Sequence, residues 1–191
     1  AFKDEGYKTY ILNEYEYSNL KELLDSDYVF INFPPSKFEN YLKFIETIFD
    51  NIDKSRVKKV FFISSTSIYP LSEKTYDESF DIKRDDSKRI VFDAEEIAKT
   101  KSDVIFRAAG LMGYDRIAGK MFSNRIVKSS NKKINHVHRD DVIEAVSFII
   151  DENISGIFNL CAPVHPLRDE LYISNAKKYN FTKPIIELKE E

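Results

Sequence analysis

The stretch Val57 to Pro70, VKKVFFISSTSIYP, constrains what this chain can fold into more than any other. Val57, Val60, Phe61, Phe62 and Ile63 make a nearly continuous apolar, β-prone run that stops at Ser64, Ser65, Thr66 and Ser67. An apolar run without alternation suits a strand buried on both faces, as in a parallel sheet. Open α/β sheets bind ligands outside the carboxyl ends of such strands. A row of hydroxyls there can hydrogen-bond a substrate oxygen or a cofactor. Taken alone, the row is better explained as a turn or a helix cap, so the neighbouring segments decide.

Those segments repeat one theme. The opening AFKDEG reads as the end of a helix stopped by Gly6, with a strand from Tyr7 to Leu12. A helix end at residue 1 leads us to expect that a strand, a loop and most of a helix precede it. Ser18 to Leu24 reads as a short helix, and Asp27 to Phe33 as a second buried strand, ended by Pro34 and Pro35. Ser36 and Glu39 have the spacing of a capping box. Phe38, Tyr41, Leu42, Ile45, Ile48, Phe49 and Ile52 then recur at helical spacing. Strand, helix, strand, helix, strand with short connections predicts a parallel α/β sheet.

The second half continues in kind. Leu71 to Ser87 is polar and aperiodic, a loop over the strand ends. Arg89 to Lys99 has helical spacing, and Asp103 to Leu111 reads as a strand with Gly110 and Gly113 near its end. Ile117 to Val127 is weakly helical, and Ser129 to Lys133 is polar and exposed. Asp141 and Glu144 suggest a cap for a helix over Val142 to Asp151. Ile157 to Ala162 is a strand, Pro166 starts a helix to about Tyr179, and KPIIELKEE holds a short edge strand and a charged tail. No repeat, low-complexity stretch or linker divides the chain.

A net charge of −3 with no basic stripe argues against a nucleic-acid partner. No apolar run is long enough to cross a bilayer, and with no signal peptide visible a cytoplasmic location is expected. The single cysteine, Cys161, lies in the apolar run IFNLC and is expected to be buried and inert. His136 and His138 have the spacing of two metal ligands on a strand, but no third ligand follows, so no metal site is expected.

Six segments in this order, FFISSTSIYP, YDESF, AEEIAK, FRAAGLMG, NHVHRDDVIEAV and GIFNLCAP, carry a resemblance. Together they resemble the extended short-chain dehydrogenases, the NAD-dependent epimerase/dehydratase family, and look most like its atypical members. The resemblance spans about Tyr7 to Tyr172. It implies an α/β fold, a Rossmann-type doubly wound parallel sheet, with a small C-terminal substrate-side region. It also implies one NAD(P)-binding domain over 1–191, with residues 114–135 and 162–191 on the substrate side. The implied cofactor is NAD or NADP, exchanging a hydride with a carbon that bears a hydroxyl.

By that resemblance, Ser65, four residues before Tyr69, would hold the reacting oxygen. Thr66 and Tyr69 would join it as catalytic candidates, while Ser67, Met112 and Arg116 would face substrate. Asn13, Phe33, Pro34, Pro35, Ser64, Arg107 and Gly110 would lie against the cofactor. For Ser64 a plain strand-end hydrogen bond is the alternative, and for Arg107 an ion pair beside the sheet. Arg116 could equally be solvated, and a helix-entry hydrogen bond suits His138 better than catalysis.

The chain also departs from the family. The pattern Gly-x-x-Gly-x-x-Gly is absent, and the expected missing start would contain it. Ser87 stands where the family has its catalytic Tyr, and Val91 where it has the Lys. Neither can move a proton, which opens the alternative of a sensor or scaffold that binds NAD(P) without using it. Tyr69 or Tyr76 could stand in as the acid. Asn13 and Glu14 follow the first expected strand and no Arg stands there for a 2′-phosphate, so the lean is towards NAD. The substrate is expected to be a small hydroxylated molecule. A homodimer through the helices Phe38–Ile52 and Ile90–Lys99 is possible, as family members often form one.

Overall fold

The computed structural model describes residues 2–72, 74–128 and 132–187. In chain order its strands are β1 (Tyr28–Ile31), β2 (Lys59–Ser65), β3 (Val104–Ala108), β4 (Gly110–Met112), β5 (Ile126–Lys128), β6 (His136–His138), β7 (Gly156–Leu160) and β8 (Ile185–Glu187). The α-helices are α1 (Leu20–Leu23), α2 (Tyr41–Asp50), α3 (Arg89–Lys99), α4 (Arg139–Asp151) and α5 (Arg168–Lys178). The chain divides into two compact units, Ala1–Arg107 with Ile154–Asn159, and Ala108–Asn153 with Leu160–Glu191.

The first unit is built on a parallel sheet in the order β1-β2-β3-β7, a Rossmann-like arrangement. Ile31 is level with Phe62, so Phe33 and Ser64 leave the sheet at the same end. The near-continuous apolar run of β2 has the expected consequence: residues of both parities are buried. Val60 and Phe62 join Val29, Ile31 and Ile105 in a core with Phe44, Ile45, Ile48 and Phe49 of α2 and Ala94 and Ala98 of α3. Phe30, Phe61, Phe106 and Phe158 point to the opposite face and form a row across all four strands, with centroids 5.6, 6.1 and 6.2 Å apart. Phe61 and Phe106 of this row are buried, each contributing about 1.5–3 kcal/mol, so this sheet anchors the unit.

Several expectations need correction. Tyr7 to Leu12 forms no strand, because no neighbouring strand pairs with it among the described residues; Tyr7 is 63% and Ile11 83% exposed. The capping box at Ser36 does not form. Pro34 and Pro35 direct the chain into a single 3-10 turn, Phe38 is extended, and the α-helix starts only at Tyr41. The amides ahead of that helix are satisfied from a distance: the Glu14 carboxylate accepts from Glu39 N–H at 3.0 and 3.1 Å and from Asn40 N–H at 3.2 Å.

In the second unit, β4 pairs with β6 and β5 with β8, both parallel. Ile117 to Val127 is not a helix: it holds a 3-10 turn at Lys120–Phe122 and the start of β5. Gly119 at φ 90° and Asn124 at φ 57° interrupt it, and left-handed residues end α-helices. α4 starts at Arg139, and its cap is His138, whose Nδ1 accepts from Asp140 N–H at 3.3 Å, rather than Asp141. Cys161, just past the end of β7, is exposed rather than buried, because the strand stops one residue before it. The edge strand in KPIIELKEE is β8; residues 129–131 of the polar stretch and 188–191 of the tail lie outside the described residues.

Candidate functional site

The carboxyl end of β2 carries the hydroxyl row, and alternation along the strand gives its members different tasks. Ser64 points inward, is buried, and donates its hydroxyl to Glu95 Oε2 at 2.6 Å. Ser65 points the other way in extended backbone and caps the 3-10 turn Thr66–Ile68. Its Oγ accepts from Ser67 N–H at 3.1 Å. A hydroxyl that accepts keeps its own proton to donate, and no acceptor for it is found among the described residues. Ser65 and Thr66 are half-buried and Ser67 is exposed. The loop therefore offers an oriented hydroxyl to a ligand oxygen.

Behind that loop lies a buried polar chain. Arg107 near the end of β3 and Glu95 on α3 are 2% and 0% exposed. The guanidinium meets the carboxylate as a fork, Nη2 to Oε1 at 2.6 Å and Nε to Oε1 at 3.0 Å. Its third nitrogen, Nη1, donates to the Tyr69 hydroxyl at 2.8 Å. That hydroxyl shares its proton between the Asp77 carbonyl at 3.0 Å and Asn159 Oδ1 at 2.9 Å. Asn159 N–H in turn donates to Glu78 Oε1 at 2.6 Å. Burial alone would lower the Arg107 pKa; the bonds and charge of Glu95, and then Tyr69, outweigh it and raise it. No buried side-chain nitrogen or oxygen among the described residues lacks a partner.

The other candidates are placed as follows. Phe33 packs edge-on against Phe38 and Phe44, at 5.9 and 5.1 Å, so its half-buried ring leans on the core. Pro34 is exposed and Pro35 half-buried beside it, beyond the end of β1. Asn13 Oδ1 accepts from Tyr15 N–H at 2.9 Å in a local turn. Gly110, Met112 and Arg116 lie in the second unit. A Cβ on Gly110 would stand 2.8 Å from His136 Nδ1, so its lack of a side chain admits the His136 ring. Arg116 is exposed and closes a backbone bridge to Gly113.

At the position of the family's Tyr, the Ser87 hydroxyl donates to Arg84 O at 3.0 Å, and at that of its Lys, Val91 is buried on α3. Among the described residues no three His, Cys, Asp or Glu side chains are grouped to hold a metal ion. No helix among them is long and apolar enough to cross a membrane. Glu95, Asn159 and Glu78 were not among the expected site residues. Glu95 did carry a signal: Val91, Ala94, Glu95 and Ala98 share the buried stripe of α3, and a carboxylate on an apolar stripe calls for a buried partner.

No family model matches the chain. Protein YeeZ of Escherichia coli K12 is 29% identical over 176 residues, covering 87% of this chain. The match spans 64% of that relative's length. Among solved structures, UDP-N-acetylglucosamine 4-epimerase from Bacillus cereus superposes with a TM-score of 0.74 at 16% identity, over 98% of this chain and 78% of that one. UDP-glucuronic acid 4-epimerase from Bacillus cereus, in complex with NAD, gives 0.67 at 16% identity, over 90% and 66%. The shared property is the fold.

Proposed function

We propose that this chain acts in a nicotinamide-dependent protein of the epimerase/dehydratase class, on a small, hydroxylated, sugar-like substrate. The observation that carries this reading is Ser65: a hydroxyl oriented by Ser67 N–H, with its proton unspent, at the carboxyl end of a parallel strand. Structures of the same fold include epimerases, one of them bound to NAD. In this reading Ser65 donates to the reacting oxygen, Thr66 and Ser67 help to seat the substrate, and the backbone of Phe33–Pro35 lies against the cofactor.

The residues present fit the substrate side of such a site. None of the five glycines belongs to a Gly-x-x-Gly-x-x-Gly turn, so no pyrophosphate cradle is assigned within this chain. NAD is favoured over NADP, since Asn13 and Glu14 offer no cation for a 2′-phosphate. Calorimetric titration of the full-length protein with NADH and NADPH tests the reading. Saturable binding with NADH preferred supports it, and no binding of either removes it.

A second reading, a protein that binds the cofactor without catalysis, is favoured by Ser87 and Val91 at the positions of the proton-transfer pair. Hydride exchange between NADH and any sugar, aldehyde or ketone would eliminate it. Under the first reading, Ser65→Ala lowers that exchange about a hundredfold.

A further inference from the structure

The polar chain behind the hydroxyl loop has an arrangement that stability alone does not require. The loop follows Ser64, the last buried residue of β2, and ends at Tyr69. Both of its ends are tied to one ion pair: Ser64 Oγ to Glu95 at 2.6 Å, and the Tyr69 hydroxyl to Arg107 at 2.8 Å. Only Ser65 to Ile68 stand between the two ties. From Tyr69 the bonds run on to the Asp77 carbonyl, and from Asn159 to Glu78, so a second loop hangs from the same pair. Its rings stack on the first: Tyr76 lies parallel to Tyr69 at 5.5 Å, and Phe80 tilts against Tyr76 at 4.5 Å.

We propose that Glu95 and Arg107 are positioning residues: through Ser64 and Tyr69 they clamp the loop that aims the Ser65 hydroxyl, and they lock the loop over residues 76–80 to it. A buried ion pair adds little net stability over apolar side chains of the same size. What a forked guanidinium adds is direction: its planar donors fix the carboxylate on one side and the phenol on the other. A lysine in its place offers a single ammonium with no such fork. The meaning of the clamp for a substrate oxygen rests on the role proposed above for Ser65; the clamp itself is a property of the protein without ligand.

Amide hydrogen exchange on the full-length protein tests it. Four amides report on the two loops: Ser67, bonded to Ser65 Oγ; Tyr69, bonded to Thr66 O; Phe80, bonded to Asp77 O; and Asn159, bonded to Glu78. Phe44, bonded to Asn40 O at the start of α2, is the control. Tyr69→Phe removes one hydroxyl and leaves the ion pair whole, so it avoids the unfolding that loss of Glu95 risks. The expected result is exchange about tenfold faster at the four reporters with Phe44 unchanged. Arg107→Lys is expected to loosen the same amides despite keeping the charge. Unchanged reporters in Tyr69→Phe, an equal rise at Phe44, or protection fully kept in Arg107→Lys would each overturn the clamp. No cofactor enters the measurement, so a protein that fails to bind NADH loses the functional reading and leaves this result standing.

Discussion

Glu95 is the residue on which the first unit's polar interior depends. Replacing it with Leu leaves the Arg107 guanidinium buried without its carboxylate, and is expected to cost about 3–5 kcal/mol. The double replacement of Glu95 by Leu and Arg107 by Met is expected to cost less than either single one, because no charge is left unpaired; denaturant midpoints of the three variants check this. Glu14 makes a pH prediction. Burial would raise its pKa, but the Asn40 and Glu39 amides, with Tyr15, hold it below the ordinary value. A carboxylate depressed in the folded state stabilises fully above its unfolded pKa, about 4.3, and stops doing so as pH falls through the folded one. Exchange at the Asn40 amide should therefore accelerate as pH falls below the ordinary carboxylate range in the native protein, and be fast and nearly pH-independent, after correction for intrinsic exchange, in Glu14→Ala.

At the scale of elements, what the sequence made legible was local and apolar. β2 and α3 follow from runs and spacings that only one buried geometry satisfies, and α3 has the bounds expected of it, Arg89–Lys99. Features made by distant residues were not legible. The cap ahead of α2 comes from Glu14, 25 positions before Glu39, and no local pattern announces it. The expected strand at Tyr7–Leu12 fails for the same reason, since a strand exists only with a partner. The site divides in the same way: the Ser65 turn could be read from its hydroxyls, whereas Asn159 and Glu78 meet only once β7 is paired. Two element-level predictions follow from packing. Phe44, fully buried and stacked on Phe38 at 4.1 Å, should cost about 3–5 kcal/mol on replacement by Ala. Gly110→Ala pushes a methyl to 2.8 Å from His136 Nδ1, which itself bonds Gly110 O at 2.8 Å. It should therefore cost about 1–3 kcal/mol, read as a shift in thermal midpoint.

At the scale of the whole molecule, a four-stranded parallel sheet sends Phe33, Ser64 and Arg107 towards one end, and the unspent Ser65 hydroxyl stands there. At the opposite end Lys59, at the start of β2, is buried and donates to Ile154 O at 2.6 Å, and Asp103 accepts from Val60 N–H at 2.7 Å. The end assigned to the dinucleotide under the proposed function is the carboxyl one, where open α/β sheets take their ligands. An NMR titration of the full-length protein with NADH, following backbone amides, tests this most directly. The prediction is saturable shifts at Phe33, Ser36 and Ser64 to Ser67, with Lys59, Val60 and Asp103 unmoved. Saturable shifts confined to Lys59 and Asp103, or none at any of these amides at millimolar NADH, would contradict it.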